Sequence, residues 1–222
     1  MNLPVSILRR PAPLGLMLVI CLMLCSCTET RFASPPGGHL ETCDARWKGL
    51  WLPRDEPNSD SAFQVDASCR FVMIEVPKNG ATTKYTPIAL KYAHVDDKNY
   101  LVVADDALKP LVDIKPVYGV DPVPKQAFYL ARYVANGDNM DVYSVDSERV
   151  ASRVIDRKLD GTVSKTANEL HVFVSADAPH MLEILRGESI FSDKPGIKLI
   201  RSRMSVDEFE RHARKTAGES KS

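Results

Sequence analysis

The side chains able to do chemistry are plentiful, but their spacing commits to no reaction. Five histidines, His39, His94, His171, His180 and His212, stand apart along the chain. None falls into H-x-x-x-H or H-E-x-x-H, the one-face spacing that brings two imidazoles to a single zinc ion. His94 and His171 sit in predicted strands, where a solvated or hydrogen-bonded ring is the expected role. No G-x-S-x-G elbow lifts a serine onto a strained turn for acyl transfer. The 29 Asp and Glu residues offer pairs for glycoside hydrolysis, which needs two carboxyls facing one cleft. The acid that alternation sets beside Phe71 and Met73 is Glu75, and a solvated strand face is its simpler role. Gly37-Gly38 does not lie between a strand and a helix, so it makes no phosphate cradle. The expectation is a protein that is not an enzyme and carries no metal and no cofactor. What remains is a set of aromatic residues, Trp47, Trp51, Tyr85, Tyr92, Tyr100, Phe128, Tyr129, Tyr133 and Tyr143. They either fill a core or line an apolar cavity in a small barrel.

The first residues address the chain rather than fold it. Arg9 and Arg10 precede an apolar run from Leu14 to Leu24, and small residues follow; this is the layout of a secretory signal. The run is about 11 residues, against ~20 for a spanning helix. An uncleaved anchor and a plain cleaved signal are the alternatives. Leu24-Cys25-Ser26-Cys27 resembles the lipobox of bacterial lipoproteins. That resemblance implies a signal peptide over 1–26 and Cys27 as the acylated first residue of the mature chain. It also implies a membrane partner held through the lipid. Thr28 rather than Asp after Cys27 resembles the type sorted to the outer membrane, facing the periplasm. Cleavage there removes Cys21 and Cys25 and, with the lipid on Cys27, leaves Cys43 and Cys69. In an oxidising compartment an even remainder reads as a disulfide, with two separate buried thiols as the alternative. Of 29 Lys and Arg, two leave with the signal, so a slight acidic excess remains over 29 acids. This argues against a nucleic-acid partner, which needs a clustered basic face.

The rest divides into three parts. Residues 27–42, with Pro35-Pro36 and Gly37-Gly38, read as a flexible tether. Residues 43–204 read as one β domain, and 205–222 as a charged helix with a disordered tail. Period-two alternation predicts strands over Trp47 to Leu52, Phe63 to Val65 and Phe71 to Val76, with Lys78-Asn79-Gly80 as a turn. Ile88 to Val95 and Tyr100 to Ala104 form a hairpin. Four prolines between Leu108 and Pro124 predict a long loop with an edge segment at Val112-Asp113-Ile114. The clearest hairpin is Ala127 to Val134 with Met140 to Val145, joined at Asn136-Gly137-Asp138. Its first strand is apolar on both faces, so it is expected between an interior and a covering element. Asp146 or Ser147 caps a helix with Val150, Ala151, Val154, Ile155 and Leu159 on one face, ended by Gly161. Leu170 to Val174 is a strand. Asp177 caps a second helix that ends at Gly187. Ile197 to Arg203 is the last strand, and Ser205 to Glu208 opens the charged helix as a capping box. Many strands with two short inserted helices predict a mainly β fold, an antiparallel barrel or strongly curved sheet.

Gly49-Leu50-Trp51 resembles the G-x-W element that opens the first strand of lipocalins and related calycins. The resemblance implies that Trp51 closes one end of a barrel under an arginine of the last strand, Arg201 or Arg203. The series from Phe128 through Tyr143 to Lys198-Leu199-Ile200-Arg201 is similar to lipocalin-like bacterial lipoproteins over its carboxy-terminal half. It implies a fold and a location but no activity. The expected function is non-catalytic binding of a small apolar or amphipathic ligand, with Trp51, Tyr92, Tyr100, Tyr129 and Tyr133 as candidate contacts. The alternative is a periplasmic protein-interaction module: an inhibitor, an immunity protein or a scaffold of envelope assembly. A hydrolase is the weakest reading.

Overall fold

The computed structural model describes residues 28–37, 39–56, 58–77 and 81–219. Residues 1–27, with Cys27, and the Lys78-Asn79-Gly80 turn lie outside the described residues. The elements run β1 (Thr28–Phe32), a short 3-10 turn (Ala45–Trp47), β2 (Gly49–Pro53), β3 (Ser61–Val65), β4 (Arg70–Glu75), β5 (Thr83–Lys84), β6 (Ile88–Ala89), β7 (Lys91–Val95), β8 (Lys98–Ala104) and α1 (Asp105–Leu108). After a long loop come β9 (Phe128–Asn136), β10 (Asn139–Ser144), α2 (Ser147–Ile155), β11 (Gly161–Lys165), β12 (Leu170–Val174), α3 (Ala178–Arg186), β13 (Ile197–Ser202) and α4 (Val206–Glu219).

The fold is mainly β: one large mixed sheet with a few short helices. Its ladder runs from β7 through β8, β9, β10, β13, β2 and β3 to β4. It nearly returns on itself. Ile88 and Ala89 pair with Phe71 and Arg70 of β4, and Leu90 alone separates β6 from β7. That two-residue seam falls short of a regular closed cylinder.

The sheet also forks. Pairing of β10 with β9 stops at Ser144–Ala131, and β1 meets β9 only at Phe32–Phe128. From there β1 carries the sheet to β12, its parallel partner, and on to β11. The expected all-antiparallel sheet is therefore corrected to a mixed one. The tether is corrected too: Thr28 to Phe32 form a strand, with Phe32 fully buried. Their alternation puts Thr30 and Phe32 on one face and Glu29 and Arg31 on the other.

Alternation explains how three apolar layers share this sheet. Leu101, Ala131, Tyr133, Met140 and Val142 point into the curl, with Trp47, Trp51 and Phe63. Tyr100, Val102 and Leu130 point the opposite way, into a second core with Val150 of α2 and Met181 of α3. β9 is thus covered on both faces, as its composition predicts. Outside the curl, Phe209 and Ala213 of α4 bury against Leu50, Ala62 and Ile74. Each fully buried large apolar side chain contributes ~1.5–3 kcal/mol.

The helix ends follow local rules. The Asp146 carboxylate accepts from the Arg149 N–H at 3.0 Å and Asp177 from the His180 N–H at 3.0 Å. The Ser205 hydroxyl accepts from the Glu208 N–H at 3.2 Å, and the Glu208 carboxylate accepts from the Ser205 N–H at 2.7 Å. Gly137, at φ 58°, supplies the left-handed residue of the β9–β10 turn.

Other expectations change. Val112-Asp113-Ile114 forms no strand. Ile155 is 69 % exposed because α2 ends there. Gly161 opens β11 instead of ending α2; a Cβ there would collide with the Phe173 carbonyl oxygen.

Candidate functional site

The inside of the curl holds a cavity of about 120 Å³. Strand alternation brings Phe63, Phe71, Leu101, Val103, Val142, Ile197 and Leu199 to its wall, and Ile88 and Leu90 close it at the seam. Leu108 of α1 and Leu111 of the following loop complete the lining, together with Trp47 and Tyr129. Apart from the Trp47 indole N–H and the Tyr129 hydroxyl, no polar side-chain group lines it.

An aromatic layer stands at one end. Trp47 and Trp51 lie 6.1 Å apart between ring centroids, and Trp47 meets Tyr133 edge-on at 5.3 Å. Tyr92 meets Tyr133 edge-on at 6.4 Å. The Trp51 N–H donates to the Trp47 carbonyl at 2.6 Å. The Arg201 guanidinium sits 4.6 Å above the Trp51 ring, a cation–π contact. It also donates to the carbonyls of Lys48 and Arg46, the latter at 2.8 Å. Of the two arginines expected over Trp51, Arg201 is the one in place.

Beneath this layer lies an ionic plug, with Asp44 buried and Arg46 reaching solvent. The Asp44 carboxylate accepts from the Tyr133 hydroxyl, from the Arg46 N–H at 2.8 Å and from the Arg46 guanidinium at 3.0 Å. Burial pushes the Asp44 carboxyl up, but these hydrogen bonds from Arg46 and Tyr133 outweigh it and hold it below its ordinary value. Burial, then Asp44, raises the Tyr133 phenol, so it stays neutral and donates. Beside the plug, Cys43 and Cys69 form a disulfide with Cα atoms 5.1 Å apart.

A second ionic cluster holds the loop that carries Leu111. Arg31, 2 % exposed, donates to the carbonyls of Lys115 at 2.8 Å and Pro116 at 3.2 Å. Its guanidinium also meets Glu29 at 2.6 Å. Glu29 accepts from the Tyr129 hydroxyl at 3.0 Å and contacts His171 Nδ1 at 2.8 Å. His171 Nε2 faces Glu169 at 3.1 Å. A carboxylate faces each ring nitrogen of His171, so both nitrogens are occupied by protein partners. Among the described residues, no group of three or more His, Cys, Asp or Glu is placed to hold a metal ion.

The five sequence candidates separate. Tyr129 lines the cavity. Trp51, Tyr92 and Tyr133 belong to the same core but stand behind its wall, as the end layer. Tyr100 faces the second core, packed on Phe191 at 5.5 Å. Glu75 accepts from the Tyr85 hydroxyl at 2.7 Å. Sequence reasoning missed Leu108 and Leu111, which lie where prolines erase periodicity. Phe63 and Phe71 carried a usable signal, since both alternate inward on predicted strands.

Among the described residues, no helix is long and apolar enough to cross a membrane. Comparison with protein-family models, with curated proteins and with solved structures gave no match.

Proposed function

We propose that this chain is a lipid-anchored envelope protein with a lipocalin-like curled sheet, and that it binds a small apolar group without chemistry. The observation that carries the reading is the cavity of about 120 Å³ with its almost wholly apolar wall. An engineered apolar cavity of ~150 Å³ stays dry and takes up benzene, whereas drug-sized ligands need ~300 Å³ or more. The occupant is therefore one ring or a short stretch of alkyl chain. The Arg201 contact on Trp51 supports the lipocalin likeness, and the lipobox supports the anchor.

Two experiments test the two halves. Labelled palmitate should enter the wild-type protein and not Cys27→Ser; equal labelling removes the anchor. For the cavity, toluene should raise the unfolding midpoint of the unacylated Cys27→Ser protein, because a ligand bound to the folded state stabilises it. Adding Val103→Phe, which fills the cavity from a half-buried wall position, should weaken toluene binding about tenfold, equivalent to 1.4 kcal/mol. No response to toluene, or the same response in both proteins, would falsify the binding role.

A further inference from the structure

The fork in the sheet opens a second cavity, of about 410 Å³, beside the first. Glu29 and Thr30 of β1, Ser144 of β10, Asp146, Ser147 and Ser192 surround it. Three features connect it to the apolar cavity. Tyr129 lines both. Val142 of the first and Ser144 of the second project from the same face of β10, so they lie ~7 Å apart along the strand. Between Ala131, where β10 leaves β9, and Phe128, where β1 joins it, no strand pairs with that edge of β9. Tyr129 and Leu130 thus lie on a stretch of β9 edge without a strand partner.

The chemistry of the two spaces differs sharply. One is greasy; the other offers hydroxyls, an open strand edge and carboxylates. No Lys or Arg is among the described residues lining the fork. Arg31 is turned away from it, toward the Lys115 and Pro116 carbonyls. Arg31 and Arg149 offset the charges of Glu29 and Asp146, but Glu148 also lines the fork with no lining Lys or Arg to balance it, so its carboxylate disfavours an anion there. The Ser144 and Ser192 hydroxyls face each other at 3.5 Å, a separation beyond a good hydrogen bond. They leave capacity for a guest.

We propose that the ligand is a single-chain amphiphile whose alkyl end fills the apolar cavity and whose uncharged, hydroxyl-bearing head lies in the fork. This rests on the binding role proposed above and goes beyond it by naming the head. A carboxylate head is disfavoured, since like charges brought together cost affinity. No covalent step is involved.

Calorimetric titration of the Cys27→Ser protein with octyl glucoside and with octanoate, both below micelle-forming concentrations at pH 7, tests the head. The glucoside should bind about tenfold more tightly. Ser144→Trp, which fills the fork, should abolish that preference while the response to toluene persists. Should that variant fail to fold, Ser192→Phe blocks the same space from a loop. Equal affinity for the two octyl compounds, or a preference that survives the blocked fork, overturns the proposal. If toluene still binds in that case, the cavity keeps its role and the head assignment alone falls. If toluene also fails to bind, both fall.

Discussion

Trp51→Ala should cost the domain about 3–5 kcal/mol, the range for emptying a large buried side chain. At this chain length that lowers the melting midpoint by about 10 °C. The loss combines several terms. The ring is fully buried, so its removal leaves a cavity that its neighbours cannot fully collapse into. Its N–H no longer satisfies the Trp47 carbonyl. The Arg201 guanidinium loses the π face it lies on and keeps only the Lys48 and Arg46 carbonyls. Urea unfolding of the two proteins at pH 7 measures the difference. A cost below about 1 kcal/mol, the size of an ordinary surface substitution, would mean the aromatic layer does not organise the end of the curl.

Arg31→Met should be similarly damaging, at about 3–5 kcal/mol, because it strands the Glu29 carboxylate without its main counter-charge. Both side chains are withdrawn from water, at 3 % and 16 % exposure, so solvent screens the pair only weakly. Glu29 adds a pH signature. Burial pushes its carboxyl up. The Arg31 charge and the hydrogen bonds from Arg31, His171 and Tyr129 outweigh that and hold it below its ordinary 4.5. A carboxyl depressed in the folded state stabilises the fold above its unfolded value and loses that contribution as the pH falls through the folded one. Glu29→Gln should therefore be destabilised at pH 7 and approach the wild type as the pH drops below about 4.5. A constant gap between the two proteins from pH 7 to pH 3 would show that ionisation of Glu29 contributes nothing.

Both pairs show what a single sequence discloses. Trp51 was legible because a short motif places it and the last strand offered Arg201 or Arg203; the register that selects Arg201 is visible only in the fold. The β9–β10 hairpin was legible because Asn136-Gly137-Asp138 is a turn signal between two alternating runs. The helices were legible from Asp146, Asp177 and Ser205, whose side chains do locally what their positions suggest.

Glu29 and Arg31 were not legible. They lie just after Cys27 among Thr, Ser and Pro, where charge and prolines read as linker. Their partner strand β12 lies more than a hundred residues away, and parallel pairing leaves no hairpin signal between them. The cavity failed in the same way. Tyr129 lines the cavity and Tyr100 faces the second core, yet nothing local distinguishes two tyrosines on neighbouring strands. Only the packed fold, with the curl on one face of β8 and β9 and the second core on the other, assigns them to opposite sides.

β1 begins at Thr28, one peptide bond beyond the residue proposed to carry the acyl chains. Fifteen extended residues would give a leash of ~50 Å; here that leash is absent. Under the anchor proposed above, an acylated Cys27 would moor the domain directly at the headgroups like a boat held bow-on, its search confined to two dimensions. Guests would then come from the membrane surface or drift past it, because a protein held that close would have no reach of its own across the surrounding space.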